Sequence, residues 1–295
     1  MMMVFGVPAP LLFGQLLLGL INGAFYALLS LGLAIIFGLL GIINFAHGAL
    51  FMMGAFAAWM LLNYLGIGYW PALILAPIIV GAFGLVLERT VIRRLYGLDH
   101  LYGLLLTFGL ALVIEGLFRN EYGSSGLPYQ IPPQLQGATN LGFMFMPNYR
   151  GWVVFVALVV CLATWLLIDK TPLGARLRAA TENAALVQAF GVNVPRLVSL
   201  TYAGGVALAA FAGVLAAPID SVNPNMGTYF INVVFAVVVI GGMGSILGSI
   251  VTGFGLGVVE GLTKVFYPQA SSTVIFLVMV IVLLVRPAGL FGKAA

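Results

Sequence analysis

Long apolar runs separated by brief polar breaks occupy residues 14–37, 49–65, 71–88, 101–118, 151–168, 197–217, 230–246, 247–265 and 272–285. A hydrocarbon core about 30 Å thick takes about 20 helical residues to cross. None of the runs alternates strictly, as the strands of a membrane barrel would, so they read as helices. The seventh and eighth runs share the junction Gly241-Gly242-Met243-Gly244-Ser245-Ile246-Leu247-Gly248 and have one broken or re-entrant element as their alternative reading. The predicted fold class is therefore all-α, a polytopic transmembrane helical bundle of eight or nine membrane segments forming a single domain over residues 1–295.

The polar residues sharpen this picture. Only 8 acidic and 12 basic residues stand among 295 positions that are 62% hydrophobic. A soluble domain carries about a quarter charged residues; at 7% this chain needs lipid as solvent. Arg89, Arg93 and Arg94 crowd one connection, Lys170, Arg176, Arg178 and Arg196 another, and Arg286 and Lys293 the tail. Placing these in the cytoplasm satisfies the positive-inside rule and leaves the 119–150 connection, with Arg119 and Arg150, outside. Nine crossings then put the N-terminus out and the C-terminus in. The net charge of +4 arises at these span ends and is no nucleic-acid signal. The first fourteen residues hold no Lys or Arg, so the first run is expected to be a retained span rather than a cleaved leader. The one cysteine, Cys161, lies mid-span and excludes an intrachain disulfide.

Two connections are long enough to act. The external one, 119–150, contains Pro128, Pro132 and Pro133, which exclude regular helix, with Tyr122, Tyr129, Tyr149 and Trp152 near the interface. It reads as a tethering loop or as a docking surface for a soluble partner. In the inner one, 169–196, Thr171-Pro172 predicts a helix start with Thr171 as N-cap. Leu173, Leu177, Ala180, Ala184, Val187 and Phe190 then recur at helical spacing, and Gly191 is the expected left-handed stop. Arg176, Arg178, Glu182, Asn183 and Gln188 occupy the other faces. A helix of this polarity cannot span a membrane; its apolar stripe lies on the bilayer surface or in a groove of another protein.

The chemistry available is narrow. No GxxxxGK[ST] phosphate loop, HExxH or Ser/His/Asp arrangement occurs, and Ala294 stands where the tail of Gly289 to Lys293 would need Ser or Thr. With two histidines and no acidic cluster, neither a metal site nor an enzyme is expected. Polar residues inside apolar runs are costly and usually face a cavity or partner. The candidates for a translocation path or gate are Asn22 and Tyr26 on one face of the first run, Asn44 and His47 at its end, Glu260 in the eighth, and Gly241, Gly242, Gly244 and Ser245. Glu115 and Arg119, and Glu260 and Lys264, have the spacing and order of helical ion pairs. Glycines at four-residue spacing, such as Gly19 and Gly23 or Gly253, Gly257 and Gly261, predict close helix packing.

Ile43-Asn44-Phe45-Ala46-His47-Gly48 resembles the signature of LivH-type permeases, the membrane subunits of branched-chain amino acid ABC importers. The similarity continues through Arg178-Ala179-Ala180-Thr181-Glu182-Asn183, Gly191-Val192-Asn193, Pro224-Asn225-Met226-Gly227 and the Gly241–Gly248 run to Arg286-Pro287-Ala288-Gly289-Leu290-Phe291-Gly292. It implies a permease paired with a LivM-like second permease in a bacterial or archaeal cytoplasmic (inner) membrane. Two cytoplasmic ATPases would bind the ATP, so this chain needs no cofactor. A periplasmic or lipid-anchored binding protein would deliver leucine, isoleucine or valine. The inner helix is then similar to a coupling helix, with Arg176, Arg178, Glu182, Asn183, Gln188 and Gly191 on the ATPase side. Related permeases serve urea, short amides or other amino acids, and a stand-alone channel or carrier or a purely anchoring subunit is the rival reading.

Overall fold

The computed structural model describes residues 3–4, 6–41 and 43–292; Lys293, part of the basic tail, lies outside the described residues. Among these residues a hairpin of two-residue strands, β1 (Met3–Val4) with β2 (Val7–Pro8), precedes eleven α-helices. These are α1 (Ala9–Leu40), α2 (His47–Leu65), α3 (Tyr69–Thr90), α4 (His100–Tyr122), α5 (Asn148–Lys170), α6 (Pro172–Glu182), α7 (Ala184–Ala189), α8 (Val194–Asp220), α9 (Met226–Gly241), α10 (Ile246–Phe266) and α11 (Val274–Val285). Seven of them, α1 to α5, α8 and α10, are long and apolar enough to cross a membrane, while α9 and α11 are shorter apolar helices. The chain is a multi-pass helical membrane protein.

The two ends of the bundle differ. At one end, Arg89 lies in the last turn of α3 with Arg93 and Arg94 just after it, Lys170 ends α5, Arg196 lies in the first turn of α8 and Arg286 follows α11; this is called the basic end. The 119–150 connection lies at the other, the loop end. There a second hairpin, β3 (Ala138–Asn140) with β4 (Phe145–Pro147), pairs Ala138 with Pro147 and Asn140 with Phe145. The prolines exclude α-helix from this loop, which holds a 3₁₀ turn at Pro133–Leu135 and that short antiparallel pair.

Packing depends on glycine. Gly19 and Gly23 of α1 seat against Gly257 of α10, whose Cβ, if present, would meet the backbone of both. Lipid gives helices no hydrophobic reason to associate, so close backbone approach supplies the dispersion contact instead. Large apolar side chains face outward, among them Leu105 and Leu112 on α4, Leu162 on α5 and Leu284 on α11.

Two helices begin inside the bundle. His47 at the start of α2 contacts Leu29 and Gly32 of α1, eight to eleven residues short of the end of α1. At 1.5 Å per residue, α2 starts about 12–16 Å in from that end, reached by an irregular stretch before His47. From the loop end, the first turn of α9 sits beside Glu115 and Arg119, inward of the end of α4. The two first turns meet where Gly48 and Gly227 touch backbone to backbone.

Three expectations are corrected. The seventh run ends as a helix at Gly241 rather than 246, because Gly242 (φ +99°) and Gly244 (φ +86°) turn the chain left-handed before α10. The inner helix is not continuous: Asn183 takes an extended conformation (φ −150°, ψ 90°) and splits it into α6 and α7. Thr171 stands at the N-cap of α6 without a capping bond, since its hydroxyl donates to the Leu167 carbonyl of α5 instead.

Candidate functional site

A cavity of about 360 Å³ opens near the loop end between α1, α5, α8, α9 and α10. It collects three of the predicted path residues. Asn22 and Tyr26 lie one helical turn apart on α1, and Glu260 faces them from α10. Glu260 is 6% exposed and has a partner at each oxygen: Tyr26 Oη donates to Oε2 at 2.7 Å and Lys264 Nζ donates to Oε1. The expected Glu260–Lys264 ion pair is therefore present. Sequence reading misses the other polar wall of the cavity, Gln15, Arg150 and Asp220, whose positions are far apart along the chain. The second expected pair does not form. Glu115 accepts from Thr228 Oγ1 at 2.8 Å and Arg119 donates to Asn225 Oδ1 at 2.6 Å, so each is satisfied across helices rather than by the other.

Asn44 and His47 stand away from this cavity, fully enclosed. Asn44 Nδ2 donates to Tyr202 Oη at 3.0 Å, and its Oδ1 accepts from the Ala46 amide at 3.1 Å, which shapes the turn into α2. The Phe45 amide donates to Thr107 Oγ1 at 3.1 Å. His47 Nε2 donates to the Leu29 carbonyl at 3.1 Å. Buried backbone outside a helix needs such partners at membrane depth, and these side chains supply them. The irregular entry to α2 is thus held by polar groups from α1, α4 and α8.

The Gly241–Ser245 turn lies at the basic end. Gly244 approaches Gly38 at the end of α1, and Ser245 Oγ accepts from the Gly248 amide to cap α10. The tail folds back over the turn, with the Leu290 and Phe291 amides donating to the Ile240 and Gly241 carbonyls. A side chain at Gly242 would run into Gly292. The four predicted gate residues thus share one clasped turn, remote from Asn22, Tyr26 and Glu260.

The segment α6–α7 stands beside this turn. A small core of Ala180, Val187 and Val194 holds it to the start of α8. Leu177 is buried too, while Leu173, Ala184 and Phe190 of the same apolar stripe are exposed. Arg176, Arg178, Glu182, Asn183, Gln188 and Gly191 are all exposed. Arg178 Nη1 donates to the Ile168 carbonyl and so caps the end of α5. Asn183 Oδ1 accepts from the Leu186 amide and starts α7, and Gly191 (φ +81°) ends that turn.

Close by, Glu88 is buried at the end of α3, where Tyr96 Oη donates to Oε1 at 2.8 Å and Ser199 Oγ donates to Oε2 at 2.5 Å. Burial, and then this bond to Glu88, pushes the Tyr96 hydroxyl well above the usual tyrosine range. The Glu88 carboxylate thus ties the end of α3 to Tyr96 and to α8, and Glu88, Tyr96 and Ala180 of α6 face one cavity of about 250 Å³. Replacing Glu88 with Ala leaves Tyr96 and Ser199 unpartnered and is expected to cost about 2–4 kcal/mol. A drop in the thermal unfolding midpoint of the purified protein checks this; Glu88→Gln should lose less.

The chain matches the family described as "Branched-chain amino acid transport system / permease component" over residues 15–283. It is 31% identical to the high-affinity branched-chain amino acid transport system permease protein BraD of Pseudomonas aeruginosa, over 95% of each chain. It is 29% identical to LivH of Escherichia coli K12, again over 95% of each chain. A permease named LivM, from Salmonella typhimurium, is 29% identical over 90% of this chain and 67% of its own length. No solved structure matches. With the family matched across nearly the whole bundle, the chain belongs to the permease components of branched-chain amino acid transport systems.

Proposed function

We propose that the chain is one permease subunit of an ATP-driven ABC importer for leucine, isoleucine and valine, set in a bacterial or archaeal inner membrane with its basic end in the cytoplasm. A LivM-like permease completes the translocation path, two ATPases bind from the cytoplasm, and a periplasmic or lipid-anchored protein delivers substrate to the loop end. The observation that carries this reading is the exposed face of α6–α7, pinned to the basic end by its own small core and beside the ends of α1, α5 and α8. A polar helical pair so held offers an external engine a lever, while the chain has no phosphate loop of its own. Similarity to both LivH and LivM relatives supports pairing of two related permeases.

Movement of α6 reaches the pathway through packed helices. Leu177, Arg178 and Thr181 share a cleft with Gly38 of α1, Thr201 of α8 and Gly244 of the clasped turn. ATP-driven approach of the two ATPases would thus displace α1 and α8, which carry walls of the loop-end cavity at their far ends.

Reconstitution tests this. Proteoliposomes holding the two permeases and the ATPases, given the binding protein, should accumulate radiolabelled leucine only with ATP inside the compartment facing the ATPases. Vesicles with the permease alone should pass none. Flux through the permease alone would sink the importer reading in favour of a self-sufficient carrier, and uptake of urea or acetamide but not leucine would overturn the substrate.

A further inference from the structure

We infer that the loop-end cavity is a transient binding subsite for a free α-amino acid, with Arg150 receiving its carboxylate and Asp220 its ammonium group. This rests on the importer reading above and adds to it a specific place on the permease where substrate pauses after leaving the binding protein.

Four charged side chains line the cavity, two of each sign. They are not equivalent. Glu260 and Lys264 are bound to each other, with Tyr26 on the remaining oxygen of Glu260, so that pair is already neutralised. Arg150, in the first turn of α5, and Asp220, the last residue of α8, face the same space without pairing. Among the described residues the ion pairs are Lys264–Glu260 and Lys170–Asp169, so neither Arg150 nor Asp220 has one. A cation and an anion held apart across a cavity present the inverse of a zwitterion: a guanidinium matches a carboxylate with two parallel bonds, and a carboxylate accepts from an ammonium group.

The rest of the wall selects the side chain. Leu18, Ile21 and Phe25 of α1, Ile219 of α8 and Phe230 of α9 form an apolar surface beside the charged groups. A branched aliphatic side chain is desolvated there, while Gln15 and Asn22 offer it nothing unless it carries a polar group. The volume lies within the range of about 300–1,000 Å³ usual for small-molecule sites. Asp220 is exposed and Arg150 half-buried, which leaves the subsite open to the loop end and suits loose rather than tight retention.

The test uses the complete importer in lipid nanodiscs, without binding protein, and saturation-transfer NMR on the methyl protons of leucine. Wild type should give a signal that weakens about tenfold or more for 4-methylpentanoate, which lacks the ammonium group, and for leucinamide, which lacks the carboxylate. Asp220→Asn should lose the preference for leucine over 4-methylpentanoate but keep that over leucinamide; Arg150→Gln should do the reverse. Leucine uptake by proteoliposomes should fall about tenfold or more in both and recover in Asp220→Glu and Arg150→Lys. Co-purification of the partner subunits shows that the variants assemble. Unchanged preferences and uptake within about twofold of wild type would overturn the subsite while leaving the importer intact. Failure of wild type to take up any branched-chain amino acid would instead strike the reading of function on which the subsite rests.

Discussion

Gly213→Leu is expected to leave almost no folded protein in the membrane. A Cβ at Gly213 would stand 2.0 Å from the Phe51 carbonyl oxygen and 2.9 Å from the Ala55 amide. The same face of α2 places Gly54 so that its Cβ would meet the Ala210 carbonyl at 2.2 Å. These neighbours are helix backbone, which cannot swing aside like a flexible side chain. Ordinary overpacking costs about 1–3 kcal/mol, and a bulky residue that forces α2 from α8 exceeds that against a total stability of about 5–15 kcal/mol. Gly204→Leu in the same helix is the control, since nothing lies within 4 Å of its added Cβ. The amount of monodisperse protein extracted from membranes reads the outcome. Equal yields of both variants would show that the α2–α8 contact does not carry the fold.

Leu186→Asp combined with Phe190→Asp should detach the ATPases and lower ATP-driven uptake about tenfold or more, the loss of at least one interface hot spot. These side chains are 54% and 79% exposed, although both are large and apolar and stand on the cytoplasmic side in the proposed orientation. Neither contributes to the core of Ala180, Val187 and Val194 that seats the segment. The double variant should therefore insert and fold as wild type does. Co-purification of tagged permease with its ATPases separates the cases: retained ATPase with full uptake would mean that α7 is a passive linker.

Hydropathy locates the crossings well because each one must bury its backbone polarity within its own helix, and α1 to α5, α8 and α10 accordingly lie where the apolar runs predict. It misplaces the end of α9 because glycine is near neutral in hydropathy and does not end an apolar run; what stops the helix is the left-handed turn packed under the tail. The division of α6 from α7 had a local signal, an asparagine able to cap a new helix, but the three-and-four spacing of apolar residues runs straight across it. Spacing alone also misjudges Glu115 and Arg119, since a helical pair loses to Thr228 and Asn225 on another element. Of the loop-end cavity, Asn22, Tyr26 and Glu260 were legible as polar residues in apolar surroundings. Asp220 and Arg150 were not, because each sits at a helix end where charge is unremarked, and only the fold sets them across from each other.

The contact between Gly48 and Gly227 has a mechanical meaning. Two helices that enter from opposite sides abut there through glycine backbone, with the Ile231 side chain of α9 packed against Gly48. A side chain grafted at either glycine would meet the other's carbonyl oxygen and act as a wedge, prising apart the two helix starts that the irregular entry to α2 brings together.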